Sequence, residues 1–309
     1  MNQLIRAACA VLSLLLWSAS AHADYARDIT VELRPAVEST VHVQVRENPR
    51  HRGRCVGPTL AFVHGLAHSA ATWNPLVDEL FASGPRGAAC KALLIDLPGH
   101  GQSALPVGLG FGELLLDDYV TAVQGTLDGL RTQGLRPAAL IGHSMGGLLV
   151  EGLQARLLAS GSSLARRYGI HFAALMSPSA AAEQPWAFAE SGAAAATVGA
   201  FVVVDPLKGP VVRVDAATWS FFFFTNFSDQ FSPGTPTPAQ IDSNVWNSDE
   251  AAYAGSQLVG APPFARLSVG AQPFAPRHGT ALVFVSPSQD KFSLRAEAEA
   301  AYVQLTGDS

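Results

Sequence analysis

The chain has 309 residues, a formal net charge of -5, 48% hydrophobic residues and 15% charged residues. This composition excludes a disordered chain, and the length suits one large α/β domain or one domain that carries an insertion. It also argues against nucleic acid as the main partner, because the only dense run of arginines, at 46–54, is typical of a solvated loop between two strands.

The first 23 residues have the pattern of a secretory signal peptide. Arg6 precedes an apolar stretch at 7–17, and Ala21-His22-Ala23 supplies the small residues of a cleavage site. The stretch is shorter than the ~20 residues that span a bilayer, and no later segment qualifies as a membrane span. We therefore expect a protein that is exported to the periplasm or outside the cell, with a mature chain that begins at Asp24.

Two strands near the new N-terminus and five buried strands alternate with helices along the rest of the chain. Apolar and polar residues alternate at 29–33 and 40–45, which predicts an antiparallel pair. Continuous apolar runs, typical of strands covered on both faces, follow at 59–63, 91–95, 138–141, 172–176 and 280–285. Helices are predicted at 72–81, 113–133, 148–159 and 294–305. This order predicts an α/β fold, a mostly parallel sheet with helices on both faces.

Export changes how the cysteines are interpreted. After residue 23 the sequence holds only Cys55 and Cys90, and each lies just before a predicted buried strand. Those two strands are expected to be parallel neighbours that begin at the same end of the sheet. In an oxidising compartment this arrangement predicts a disulfide, with two unpaired thiols as the alternative.

The regular alternation stops after residue 177. Residues 178–276 contain Ala-rich stretches, a Pro-rich loop and the run Phe221 to Phe224. We interpret this segment as an inserted helical cap between a first part of the core, 24–177, and a second part, 277–309. The phenylalanines either line an apolar pocket or fill the core of the cap.

A glycine-flanked serine lies at the junction of the fifth predicted strand and its helix. The sequence Gly142-His143-Ser144-Met145-Gly146 follows the buried strand directly. In this context it predicts a nucleophile elbow, a tight turn that lifts the serine hydroxyl off the end of a parallel sheet. The alternative is a Gly-rich turn in which the serine caps the helix.

Two more motifs precede the elbow: His64-Gly65 after the third strand, and Asp96-Leu97-Pro98-Gly99-His100-Gly101-Gln102-Ser103 after the fourth. With the three motifs in this order, the chain resembles the α/β-hydrolase fold family, close to its capped esterase and lipase-like members. The resemblance covers nearly all of the mature chain to Asp290 and is weakest in the cap.

The resemblance implies a role for each matching residue. Ser144 corresponds to the nucleophile, and Asp290, at the end of the strand that follows the cap, to the acid that orients a histidine. The backbone N–H groups of Leu66 and Met145 correspond to the oxyanion hole. His64, Gly65 and His143 are expected beside the pocket. No metal or cofactor is expected, because the histidines and cysteines are dispersed along the chain.

The catalytic histidine is the one part of this pattern that the sequence lacks. In the family it follows the acid and one more strand, but no histidine follows Asp290 here. We expect that the last strand and the histidine segment are missing from a truncated chain. A natural chain that has lost activity is the alternative, and it is less favoured because it leaves strand 280–285 as an exposed apolar edge. His68 and His100 lie on loops at the catalytic end, whereas His171 and His278 precede their strands at the far end.

These residues predict an exported serine hydrolase that cleaves carboxylic esters with an apolar portion through an acyl-enzyme on Ser144. The alternatives are other chemistry on the same fold, namely thioester cleavage, C–C bond hydrolysis or acyl transfer, and a non-catalytic binding protein with a capped pocket. The oligomeric state is left open.

Overall fold

The structure is a computed structural model that describes residues 24–50, 55–66, 68–83, 89–109, 114–179, 181, 202–205, 209–212, 251–252, 267–285 and 295–308. The predicted signal peptide, Asp290 and the run Phe221 to Phe224 lie outside these residues.

Ten strands and five α-helices are described. The strands are β1 (Tyr25–Arg34), β2 (Val37–Glu47), β3 (Thr59–Val63), β4 (Lys91–Ile95), β5 (Ala139–His143), β6 (Phe172–Met176), β7 (Val202–Asp205), β8 (Gly209–Val212), β9 (Ala251–Ala252) and β10 (Ala281–Val285). The helices are α1 (Asn74–Ala82), α2 (Leu116–Thr132), α3 (Met145–Ala159), α4 (Leu164–Tyr168) and α5 (Arg295–Thr306), and a 3-10 turn at Ala70–Trp73 precedes α1.

Seven of these strands form one mixed sheet in the order β1-β2-β4-β3-β5-β6-β10. Strands β1 and β2 are antiparallel, as their alternating pattern predicts, and β2 continues antiparallel onto β4. Strands β4, β3, β5, β6 and β10 are parallel. The predicted α/β architecture with a mostly parallel sheet is therefore confirmed, and β5, which leads into the serine, lies in its middle.

Helices cover both faces of this sheet, as predicted. Alternate residues of one strand belong to opposite apolar cores: Val63 packs into the core under α2 and α3, and Phe62 into the core under α1. The first core includes Leu140, Leu148 and Tyr119. The strands between the two cores are buried on both sides, which explains their continuous apolar runs.

Two helix boundaries differ from the prediction for a local reason. Helix α2 begins at Leu116 and not at 113, because the Asp118 carboxylate accepts the Leu115 N–H at 2.7 Å and so caps the helix there. Helix α1 begins at Asn74 with Pro75 in its first turn, since the residues before it form the 3-10 turn.

The two cysteines lie together at the start of β3 and β4, which are parallel neighbours as predicted. Their Cα atoms are 5.7 Å apart and their sulfur atoms lie at bonding distance. The separation falls within the range that a disulfide requires.

Within the predicted cap, 178–276, the structure describes three short strands. β7, β8 and β9 form a separate antiparallel sheet in that order. The helices predicted for 178–276 fall outside the described residues. At the end of the segment Val269 and Phe274 are buried in the main core, where the Phe274 N–H donates to the Leu305 carbonyl at 2.8 Å.

The sheet ends at β10 within the described residues. Val283 and Val285 are each 39% exposed, whereas Leu282 and Phe284 pack against the core from the other face. One face of β10 is therefore more exposed than the other.

Candidate active site

Ser144 lies between β5 and α3 in a backbone conformation that side chains rarely adopt. Its φ is 52° and its ψ is -123°, a conformation that costs on the order of 1–3 kcal/mol unless neighbours enforce it. Four backbone bonds do so: its N–H donates to Met176 at 3.0 Å, and its carbonyl accepts from Gly147 at 2.9 Å, Leu148 at 3.3 Å and Ser179 at 3.0 Å. The side chain remains partly exposed. The turn has the geometry of the predicted nucleophile elbow.

The glycines around Ser144 are required by close approach of other chain segments. A Cβ on Gly146 would lie 2.3 Å from the Val63 carbonyl oxygen and 2.5 Å from that of His64. A Cβ on Gly65 would lie 2.9 Å from the Ser144 Cβ. All three distances are shorter than real contacts of a Cβ allow, so only glycine at these two positions lets the loop after β3 lie against the serine.

Two backbone N–H groups are free to face a substrate at this junction. Met145 is the first residue of α3, so its N–H has no partner one turn earlier in the helix. The N–H of Leu66 meets no acceptor among the described residues. These are the two donors that the resemblance implies for an oxyanion hole.

His64 holds the loop that carries Leu66. Its Nε2 accepts the Leu97 N–H at 3.0 Å, so its Nδ1 carries the proton and donates to the Gly65 carbonyl at 2.7 Å. Burial, opposed in part by the bond to Gly65, lowers the pKa of His64 to about 4. Both ring nitrogens are engaged, so this imidazole braces the loop and is not available as a base.

Asp96 makes a second brace that sequence reasoning missed. Its carboxylate is buried and accepts the Ala70 N–H at 2.6 Å and the Gln102 N–H at 3.0 Å, which ties the loop after β3 to the loop after β4. Burial raises the pKa of Asp96 despite these bonds. Gly101 has a φ of 54°, and a Cβ there would lie 2.2 Å from Asp96 Oδ1. An aspartate at a strand end followed by a Gly-x-Gly turn was the available signal.

His143, next to the serine, lies against two aromatic groups. The His68 ring stacks on it with the ring centroids 5.2 Å apart and the planes 5° apart. The Trp73 ring meets it edge-on, at 6.3 Å and 90°. His68 and Trp73 are buried, whereas His143 is partly exposed. Burial, followed by the charge of His143, lowers the pKa of His68 well below its ordinary value.

The other histidines of the described residues form no hydrogen bond with Ser144. His100 is buried, and its Nδ1 lies 3.1 Å from the Pro98 carbonyl; its pKa is lowered to about 3, mainly by burial. His171 and His278 precede β6 and β10, at the end of the sheet opposite Ser144. Among the described residues, no imidazole nitrogen forms a hydrogen bond with the Ser144 hydroxyl.

Within the same described residues, no group of three or more His, Cys, Asp or Glu side chains is arranged to hold a metal ion. No described helix combines the length and the apolar character that crossing a bilayer requires.

A sequence model matches most of the chain, from residue 60 to residue 307, and its description is "Alpha/beta hydrolase family". The chain belongs to the alpha/beta hydrolase family. The match includes the loop after β3, the loop after β4 and the serine turn of this alpha/beta hydrolase.

Solved structures are similar to this alpha/beta hydrolase across most of its length. E-2-(acetamidomethylene)succinate hydrolase is 15% identical with a TM-score of 0.58, covering 92% of this chain and 88% of the other. A thermophilic esterase from Thermogutta terrifontis is 16% identical with a TM-score of 0.56, covering 89% and 85%. Identities this low show a shared fold and leave the reaction open.

A shorter sequence similarity joins this alpha/beta hydrolase to 2-succinyl-6-hydroxy-2,4-cyclohexadiene-1-carboxylate synthase from Yersinia pestis. The two are 38% identical over 101 residues, which is 33% of this chain and 31% of the synthase. The chain therefore matches about a third of the length of this curated relative.

Proposed function

We propose that the protein is a serine hydrolase that cleaves carboxylic esters of small molecules through an acyl-enzyme on Ser144. One observation carries the proposal: the partly exposed Ser144 is held at φ 52° between β5 and α3, with Gly65 packed against its Cβ. This arrangement supports the proposed role of Ser144 as a nucleophile that acts beside the N–H groups of Leu66 and Met145. A serine that only capped a helix would accept a helical N–H through its side chain, and Ser144 does not.

In the proposed reaction the Ser144 oxygen attacks the ester carbonyl, the hydroxyl proton passes to the base, which later gives it to the leaving alcohol, and the carbonyl electrons move to the carbonyl oxygen. The Leu66 and Met145 N–H groups stabilise that oxyanion, an effect worth about 3–4 kcal/mol for one donor in a serine protease. The carbonyl reforms as the alcohol leaves, and water then releases the acid from Ser144. Asp290 is proposed as the acid that orients the base.

The base itself is not assigned to a residue. His64 uses both ring nitrogens in the loop, and no other described imidazole forms a hydrogen bond with the Ser144 hydroxyl. This favours a second candidate function, a binding protein that keeps the pocket without turnover. The similarity to a synthase over 101 residues favours a third, other chemistry at the same serine.

A fluorophosphonate probe separates these functions, because it bonds covalently to an activated serine and needs no particular substrate. We expect labelling of a chain that includes the histidine segment expected after Asp290, read as a mass increase on the peptide that contains Ser144. In that chain Ser144→Ala should remove the labelling, and Ser179→Ala, a change to a nearby serine whose N–H binds the Ser144 carbonyl, should not. If the folded protein with that segment stays unlabelled, the result contradicts the hydrolase and supports the binding protein.

Export, with a mature chain from Asp24 and a bond between Cys55 and Cys90, is part of the same proposal. The positions of the two sulfur atoms support the bond. Closing a loop of 35 residues stabilises the folded state by about 3–4 kcal/mol. The intact mass of protein recovered from the periplasm or medium should rise by two hydrogens after reduction. An unchanged mass would show two free thiols.

A further inference from the structure

The end of the sheet opposite Ser144 carries an exposed arginine surface. It is formed by the segments 131–138, 160–171 and 276–281, which precede or connect strands β5, β6 and β10. These segments contain Arg131, Arg136, Arg166, Arg167 and Arg277, together with His171 and His278, and no Asp or Glu. All five arginines are exposed.

Contacts show that the three segments form one continuous surface. Arg131 donates to the Arg167 carbonyl at 3.3 Å, which joins the end of α2 to α4. A Cβ on Gly279 would lie 3.3 Å from the Ala165 Cβ, which joins α4 to the turn before β10. His171, directly before β6, links that turn to the start of β5: its Nδ1 is 3.2 Å from the Gly279 carbonyl, and its N–H donates to the Ala138 carbonyl.

Most of this positive charge is not neutralised. Arg167 pairs with Asp128 at 2.8 Å, but the other four arginines make no ion pair with a described residue. Asp308 follows Gly307, and Gly307 packs on Gln272, the acceptor for Arg277. Five arginines against two aspartates form a positive surface on a chain whose net charge is -5.

The chemistry of this surface suits phosphate groups. Guanidinium groups bind phosphate oxygens bidentately and are more weakly hydrated than ammonium groups, and the chain has 17 arginines against 3 lysines. Phe172 begins β6 directly after His171 and is 41% exposed, which gives the same end of the sheet an apolar side chain. Arginines beside an exposed aromatic ring are the combination found where proteins bind the headgroup layer of a membrane.

We propose that the arginine surface binds an anionic phospholipid bilayer, so that the protein lies on the membrane with Ser144 facing away from it. The proposal does not depend on the reaction at Ser144. We favour lipid over a soluble polyanion because the exposed Phe172 can insert into a bilayer, whereas a polyphosphate chain in water offers no apolar contact to this side chain.

Cosedimentation with vesicles tests the proposal. The full-length mature protein should bind vesicles of phosphatidylglycerol and phosphatidylethanolamine, and should not bind vesicles of phosphatidylcholine alone. Binding should weaken as salt rises from about 50 to about 500 mM, because the interaction between surface charges is screened. Each arginine near an anionic membrane contributes about fivefold in partitioning, so Arg277→Glu should reduce binding by at least that factor.

A matched control separates this surface from net charge. Arg27→Glu makes the same charge change on β1, at the opposite edge of the sheet, and should leave vesicle binding unchanged. Phe172→Trp should give a blue shift of tryptophan emission on anionic vesicles only. Equal losses in Arg277→Glu and Arg27→Glu, binding to heparin but not to vesicles, or no vesicle binding at the lowest salt concentration would each overturn the proposal.

Discussion

The side chains at the two ends of the parallel strands lie in opposite environments. At the carboxyl ends of β3, β4 and β5, the groups beside Ser144 are buried and connected through the backbone, and the imidazoles of His64 and His100 are held neutral by burial. At the amino ends of β5, β6 and β10, charged side chains stand in solvent with few partners. The first end is specified by close packing and tolerates little change, whereas the second is specified by charge and tolerates substitution without loss of fold.

The largest loss of stability is expected at the serine turn, where two backbone segments lie in close contact. Gly146→Ala places a methyl group 2.3 Å from the Val63 carbonyl oxygen, and neither segment can move without breaking the sheet or α3. We expect a loss of about 4 kcal/mol or more in the free energy of unfolding, the upper range for single substitutions, measured by urea denaturation.

Gly161→Ala is the matched control. Gly161 has a φ of 75° at the other end of α3, but a Cβ there would meet no atom within 4 Å, so only backbone strain remains. That strain costs about 1–2 kcal/mol. Equal losses of stability in the two variants would show that the carboxyl ends of the strands are no more sensitive to substitution than the amino ends.

The next largest loss of stability is expected at the catalytic end when the pH is lowered. The folded-state pKa values of His64 and His100, about 4 and about 3, lie below the ordinary 6.5. The unfolded chain therefore binds more protons, so the free energy of unfolding is highest above pH 6.5 and falls as the pH drops toward 4. Each such histidine contributes a slope of about 1.4 kcal/mol per pH unit in that window. The raised pKa of Asp96 acts in the opposite direction.

Urea midpoints measured between about pH 7.5 and about pH 4.5 give this slope. His100→Gln removes one buried imidazole and should flatten it, while His171→Gln, at the exposed end, should leave it as in the wild type. Equal slopes for the wild type and His100→Gln would refute this origin of acid sensitivity.

A smaller effect is expected from the brace at Asp96. Asp96→Asn keeps the shape of the side chain but replaces one carboxylate oxygen with an amide nitrogen, which is a donor. The one oxygen that remains cannot take the place of both carboxylate oxygens, which accept the Ala70 and the Gln102 N–H. We expect a loss of about 1–3 kcal/mol in stability. Because the loop also carries Leu66, fluorophosphonate labelling of Ser144 should slow in protein that remains folded.

Asp78→Asn provides the comparison for that variant. Asp78 is an exposed carboxylate paired with Arg46, away from the loop, and exposed pairs contribute little. Labelling that slows equally in both variants would mean that Asp96 does not position the loop.

Sequence patterns predicted the buried parts of the fold well because burial on both faces leaves a simple signal. Strands β3, β4 and β6 have the predicted bounds. Helix α4 was not predicted, since its five residues depend on the Ser163 cap and on the left-handed Gly169. The alternation at 29–33 also underestimated β1, whose first residues pair with β2 but are exposed.

The candidate site was predictable where function is encoded in local turns, as at Ser144. It was not predictable where it depends on contacts between distant segments. Asp96 joins residues 70 and 102 only after β3 and β4 lie side by side, and the stacking of His68 on His143 depends on the neighbouring positions of β3 and β5. Asp290 stays a prediction.

Strands β6 and β10 are direct neighbours in the sheet, although more than a hundred residues separate them along the chain. Their pairing is completed by backbone bonds such as Ser177 N–H to the Val285 carbonyl, 2.7 Å, and these do not involve the intervening segment. Lengthening a connection costs only about 0.6 kcal/mol for each doubling. A different segment grafted between 181 and 267 should therefore leave the register of β6 and β10 unchanged.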